Sequence, residues 1–176
     1  YAPETSSTAS ATSQAIRFHI EKAPLCIRAK DKTMTYGETL SDNGAEINGF
    51  VNNENETVLS GLNYAFNYAQ FSDIGTYTII PMDAQAENYK ITYENGVLNV
   101  QPKPVEIKWN GESVFYYDGT PKLVTAEAIG AVNGDALTVI IEDGSRTETG
   151  SYTARAAALA GGKAGNYVLP EAQTFS

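Results

Sequence analysis

The run Asp73-Ile74-Gly75-Thr76-Tyr77-Thr78-Ile79 returns as Glu148-Thr149-Gly150-Ser151-Tyr152-Thr153-Ala154. An acidic residue, a spacer, Gly, a small hydroxyl residue, Tyr and Thr recur in one order. A repeat of this kind outranks local propensity, because the chain must reach the same fold twice. Other pairs keep the order: Tyr36-Gly37 with Tyr117-Asp118-Gly119, Gly49 to Asn52 with Gly130 to Asn133, and Asn88-Tyr89 with Asn166-Tyr167. The offset is 81 positions for Gly49/Gly130, 75 for Gly75/Gly150 and 78 for Asn88/Asn166. It changes only between matches, where loops absorb insertions. The chain therefore divides into residues 22–102 and 103–176, each near the lower size for a domain that folds alone. Residues 1–21 read as a linker or as the closing strand of a preceding repeat.

Within each unit the hydrophobic period is two, the period of a strand with one buried face. Leu25, Ile27 and Ala29 share a face opposite Cys26, Arg28 and Lys30; Val105, Ile107 and Trp109 repeat the pattern opposite Glu106 and Lys108. Pro24, Pro102 and Pro104 introduce these strands, as suits a residue that cannot donate to a ladder. Leu137, Val139 and Ile141 alternate between Asn133-Gly134-Asp135 and Asp143-Gly144, two turn signals. Asn95-Gly96 is the favoured pair for a two-residue type I′ turn, which places Tyr93 opposite Leu98 and Ile91 opposite Val100 in a hairpin. No stretch has a sustained helical period. Ala156 to Leu159 has room for one turn, and a short helix near Asn55 to Ser60 is compatible with the residues there. The expected architecture is all-β: two tandem Ig-like β-sandwich modules, with β-grasp-like modules as the alternative.

The front of the chain belongs to this pattern too. Residues 1–13 are nearly all Ala, Ser, Thr and Pro, a linker composition. Yet Tyr1-Ala2-Pro3-Glu4 resembles Tyr167-Val168-Leu169-Pro170-Glu171. Ile16, Phe18 and Ile20 then alternate with Arg17, His19 and Glu21 and run into Lys22-Ala23-Pro24. Residues 15–20 are expected to form a strand, against a module of this chain or of a neighbouring molecule.

Charge and chemistry exclude several functions. Twelve Lys and Arg against 21 Asp and Glu leave a net charge of −9. Such a surface repels nucleic-acid phosphates and anionic membranes. No apolar run reaches the roughly 18 residues of a membrane span. No signal peptide is visible, as expected of an excised piece. One Cys, Cys26, permits no internal disulfide, and one His, His19, lies on a charged face. Nothing pairs nucleophile with base, and no catalytic or cofactor-binding residue is assigned. Asn52-Asn53-Glu54-Asn55-Glu56 could offer oxygens to Ca²⁺ but lacks EF-hand spacing, and it reads as a solvated turn. No metal ligand is assigned. Trp109 reads as core, with a sugar-stacking platform as the other reading; Tyr116 and Tyr117 are the aromatics that would join it in facing a ligand.

Tyr36-Gly37, Gly49 to Asn52, Gly75-Thr76-Tyr77 and Asn88-Tyr89 resemble the YG-type MBG repeat of bacterial surface proteins. Tyr117-Asp118-Gly119, Val132 to Asp135, Gly150-Ser151-Tyr152 and Gly165-Asn166-Tyr167 resemble its YDG-type relative. The resemblance covers nearly all of residues 20–176. It implies a secreted or wall-attached bacterial adhesin-like protein, non-catalytic, whose repeats serve as stalk, spacer or adhesion module. The implied partners are neighbouring repeats and a host surface protein or glycan. A carbohydrate-binding module of a secreted protein is the alternative. The acidic-x-Gly-x-Tyr element also resembles the tyrosine corner of immunoglobulin domains. Here Ile79 and Ala154 stand where those domains carry a cysteine.

Overall fold

The structure, a computed structural model, describes residues 14–171 and 174–175. The comparison of Tyr1 to Glu4 with Tyr167 to Glu171 lies partly outside them. In the first repeat the strands are β1 (Ala23–Ala29), β2 (Lys32–Thr35), β3 (Ala45–Asn48), β4 (Asn63–Phe66), β5 (Gly75–Met82), β6 (Tyr89–Glu94) and β7 (Gly96–Gln101). They make two sheets, β3-β1-β6 and β2-β7-β5-β4. The pairs β1/β6 and β2/β7 are parallel; the others are antiparallel. Leu25, Ile27 and Ala29 of one sheet and Met34, Ile79, Leu98 and Val100 of the other are buried. A two-sheet sandwich results because each strand offers one apolar face.

The hairpin expected at Asn95-Gly96 does not form. β6 pairs with β1 and β7 pairs with β5 and β2, so the chain changes sheets between Glu94 and Gly96. Neither Asn95 nor Gly96 takes the positive φ that a type I′ turn requires. Gly96 serves another purpose: a Cβ there would sit 2.6 Å from the Ala29 carbonyl oxygen. Glycine lets the two sheets approach where the chain crosses between them.

The second repeat contains β8 (Lys103–Pro104), β9 (Glu106–Asn110), β10 (Lys122–Leu123), β11 (Thr125–Ile129), β12 (Thr138–Glu142), β13 (Ser145–Arg146), β14 (Ala154–Ala160), β15 (Tyr167–Val168) and β16 (Thr174–Phe175). Its pairings copy those of the first. Ile27↔Ile47 becomes Ile107↔Ala128, and Ala29↔Ala45 becomes Trp109↔Ala126. The parallel contact Pro24↔Lys90 becomes Pro104↔Val168. β12/β14 stands for β4/β5, and β14/β16 for β5/β7. Ala156 to Leu159 lie in β14, where every backbone ladder bond goes to a neighbouring strand and none closes a helical turn. The short β10/β13 pair has no counterpart in the first repeat.

Helical structure is confined to two 3₁₀ turns, Glu56–Val58 and Ala164–Asn166, among the described residues. The first lies in the stretch where the sequence allowed a short helix, and Asn55 Oδ1 caps it by accepting from Thr57 N–H at 3.0 Å. No α-helix crosses a sheet there, and the β-grasp alternative falls away. Residues 14–22 make no strand and Ile16, Phe18 and Ile20 are exposed, so the expected pairing with a module of the same chain is not formed.

Candidate functional site

The most heavily built polar site lies between the two repeats, and it grows from a device that each repeat contains. In the first repeat Val51-Asn52-Asn53-Glu54 is a tight turn, with φ of 55° and 58° at its centre and Glu54 N–H donating to the Val51 carbonyl at 3.0 Å. Asparagine tolerates this left-handed backbone. Val51 N–H donates to the Tyr89 hydroxyl at 3.1 Å, and that hydroxyl donates to Glu54 Oε2 at 2.5 Å. The loop read as a solvated turn or a calcium ligand set therefore spends Glu54 on a tyrosine. Among the described residues no three His, Cys, Asp or Glu side chains gather as a metal group.

The second repeat rebuilds this arrangement. Val132-Asn133-Gly134-Asp135 has positive φ at both central residues and Asp135 N–H donating to Val132 at 3.0 Å. Val132 N–H donates to the Tyr167 hydroxyl at 3.0 Å, and Tyr167 donates to Asp135 Oδ2 at 2.6 Å. Here the carboxylate has a second donor: Tyr36 of the first repeat reaches the same oxygen at 3.0 Å. The Tyr36 and Tyr167 rings meet edge to face, 5.4 Å between centroids. Gly37, at φ +87°, lies against Val132, and a Cβ there would be 2.7 Å from its Cγ2.

Beside this pair, Asn166 is a buried polar side chain with both ends satisfied. Its Oδ1 accepts from Ile74 N–H at 2.9 Å and its Nδ2 donates to Asp73 Oδ1 at 2.8 Å. Lys163 Nζ donates to the same Asp73 oxygen at 2.6 Å. Apolar packing continues through the junction, where Ala29, Met34, Tyr36, Val100, Val105 and Tyr167 belong to one buried cluster. Buried polar groups with complete partners fix one arrangement, since any other leaves them unpaired. Burial, then the Asp135 hydrogen bond, pushes the Tyr167 hydroxyl up to about 12 and raises that of Tyr36. Hydrogen bonds from Lys163 and Asn166 hold the Asp73 carboxyl below its ordinary range.

The tyrosine corners are present in both repeats. Tyr77 donates to the Asp73 carbonyl at 2.6 Å and Tyr152 to the Glu148 carbonyl at 3.2 Å. A tyrosine repeated at this place in a thin β core is expected to be mostly buried, its hydroxyl reaching a backbone partner at the edge. Tyr77 is half-buried against Tyr68, whereas Tyr152 is 42% exposed. The reason is that Tyr77 lies opposite Leu98 of β7, while among the described residues no strand lies opposite Gly150–Thr153.

That open side is a groove of about 660 Å³ along residues 112–117 and 146–154, with Phe175 at its end. Tyr116 and Tyr117 line it and are 85% and 62% exposed. Trp109 is not part of the lining. It lies half-buried on the inner face of β9, 5.7 Å from the Phe175 ring, with its Nε1 buried and without a hydrogen-bond partner among the described residues. The three aromatics named from sequence are therefore not brought together as one platform. The junction residues Tyr36, Asp135, Asn166 and Tyr167 were visible as repeated positions, but nothing local marks them as partners of one another.

Several small sheets around one buried cluster, with a buried polar junction, define an all-β protein. Residues 25–99 match the family model of the MBG domain (YGX type). MBG domains are a family of non-catalytic repeat modules of surface proteins. No curated protein and no solved structure matches the chain. No helix among the described residues is long and apolar enough to cross a membrane.

Proposed function

We propose that the chain is a spacer segment of an extracellular or cell-wall-attached bacterial adhesin-like protein, with no catalytic role. Its modules are residues 22–102 and 103–176, the second of the YDG type. The observation that carries this reading is the shared carboxylate of Asp135. One oxygen receives hydroxyls from Tyr36 and Tyr167, one from each repeat, inside a core continuous between them. A spacer transmits position only when its modules keep a fixed angle, and buried polar partners at a junction supply that fixity. A flexible tether would carry Gly- and Ser-rich residues in place of Gln101-Pro102-Lys103-Pro104.

Residual dipolar couplings measured on both repeats test it. A single alignment tensor should describe all amides from 23 to 168. Two independent tensors would end the rigid-spacer reading. The exposed Tyr116 and Tyr117 favour glycan binding as the second reading, and a glycan array with and without Tyr116→Ala and Tyr117→Ala decides it.

A further inference from the structure

From Thr57 to Ser72 the chain runs 16 residues without a charge, its longest such stretch, and Asn63-Tyr64-Ala65-Phe66 within it is β4. β4 lies at the edge of the sheet β2-β7-β5-β4. Its pairing identifies its free side. Asn67 N–H donates to the Thr78 carbonyl at 3.3 Å, so by the alternation of an antiparallel ladder Ala65 and Asn63 also bond to β5. Tyr64 and Phe66 then turn their N–H and carbonyl groups away from β5. Pro81 lies opposite Tyr64, and a residue without an N–H fits a position that bonds nothing across to β4. Among the described residues no strand lies on the far side of β4.

Edge strands ordinarily carry a charge or a proline that blocks pairing with another chain. The other edges of the first repeat do: Lys32 stands in β2, Glu46 in β3, and Lys90 and Glu94 in β6. In the second repeat the counterpart of β4 is β12, which carries Glu142 paired with Arg155. Asp143 follows it, paired with Arg146. β4 has neither charge nor proline. Beside it on β5, Ile80 and Met82 face outward and are each 38% exposed. No charge stands among the outward residues of β5 or β7. The strands β1 to β7 are all in place around this edge, so its exposure belongs to the repeat itself.

We propose that two copies of this chain pair through β4 as antiparallel edge strands, joining their sheets β2-β7-β5-β4 into one. The free groups set the register. Tyr64 takes Phe66 of the second copy, Phe66 takes its Tyr64, and Ala65 meets Ala65 on the two-fold axis. Asn63 then meets Asn67 of the second copy. This register is self-complementary, with aromatic beside aromatic on one side of the sheet and amide beside amide on the other. One patch serves both copies, so the contact closes at two. The occupant follows from charge. A net charge of −9 holds copies apart elsewhere, and the uncharged edge is where two can meet. Asp42 and Glu56 stand near it: burial first, then these two carboxylates, raise the Tyr64 hydroxyl above its ordinary value. Salt screens that repulsion. A strand of four residues makes the dimer weak and reversible. The pairing goes beyond the spacer reading, which stands whether or not copies join.

Sedimentation equilibrium on the 176-residue polypeptide, in low and in high salt, tests the proposal. Mass should rise with concentration from one chain toward two, and more steeply in high salt. A monomer in both salts up to the solubility limit overturns the pairing, and so does mass that passes two chains. Ala65→Lys sets like charges face to face on the axis and should abolish the dimer while leaving the unfolding midpoint of the dilute protein unchanged. Dimer that survives this variant overturns the pairing as well. Ala65→Cys, a smaller change, reads the same axis without charge. In a chain carrying Cys26→Ser it should give a disulfide dimer on oxidation, because residues opposite each other in this type of pair have Cα atoms about 4.5 Å apart. Asn63→Cys in the same background should not, since Asn67 is its counterpart. Oxidised dimers of Asn63→Cys without those of Ala65→Cys overturn the register. Single-tensor alignment measured on Ala65→Lys keeps the spacer reading apart from this one.

Discussion

The two repeats use one pairing frame and differ in how completely it is filled. Ile27 and Ile107 occupy equivalent register positions, yet Ile27 is buried and Ile107 only half-buried. Ile79 and Ala154 likewise mark one site, but the first repeat places a large side chain there under β7. The second has only a methyl group there. The two repeats thus differ in the side chains they place at equivalent core positions. Repetition of sequence reproduces topology, while core packing depends on the volume each position carries. Stability should divide along the same line.

Core truncation should separate the repeats most. Ile27→Ala should cost about 3–4 kcal/mol and Ile107→Ala about 1–2 kcal/mol, since the cost rises with the volume left empty. Urea unfolding of both variants checks this, and equal losses would break the comparison. Next comes the junction. Asp135→Ala strands two tyrosine hydroxyls at once and should cost about 2–3 kcal/mol. It should also release the two repeats to unfold in separate steps, seen by calorimetry. One unchanged transition would show that the apolar cluster alone couples them.

Alkaline pH sharpens the same point. Tyr167 is raised from 10.0 to about 12, so its neutral hydroxyl is favoured in the folded chain. That contribution is whole below about pH 10, and it is lost as pH rises through about 12. Tyr167→Phe should flatten the loss of stability in this window, measured by circular dichroism. An identical pH profile would remove the tyrosine from the account.

The tyrosine corners should give a smaller contrast. Tyr77→Phe should cost about 1 kcal/mol and Tyr152→Phe less than half of that, because water replaces the lost bond at the exposed site. Matching shifts in midpoint would contradict the difference in exposure between the two corners. Asp73→Asn should have the smallest effect. The carboxyl lies below its ordinary 3.8 through Lys163 and Asn166. Its contribution is present above about pH 4 and fades as pH falls through the lowered value. The difference from the parent should shrink with added salt. A salt-independent difference would mean that the Asn166 hydrogen bond, and not the ion pair, carries it.

The repeat itself was legible because its key positions are locally demanding. Asn133-Gly134 and Asn52-Asn53 fit positive-φ turns, and Tyr77 and Tyr152 bond carbonyls four residues upstream. Alternation at Leu25 to Ala29 and at Val105 to Trp109 identified the inner faces. The Asn95-Gly96 hairpin failed for a physical reason. Two adjacent strands with matching alternation fit a hairpin or a change of sheet equally well, and the dipeptide is also what a close crossing needs. Burial of Tyr152 failed because it depends on a strand distant in sequence.

The sequence by itself determined the all-β class, the repeat and the inward faces, since period, turn chemistry and proline placement act over a few residues. The tertiary structure alone decided the partners. Parallel pairing of β1 with β6 and the sharing of one Asp135 oxygen by Tyr36 and Tyr167 both join residues far apart in the chain. Their energies come from burial and from completing polar groups, and neither is a property of a short stretch.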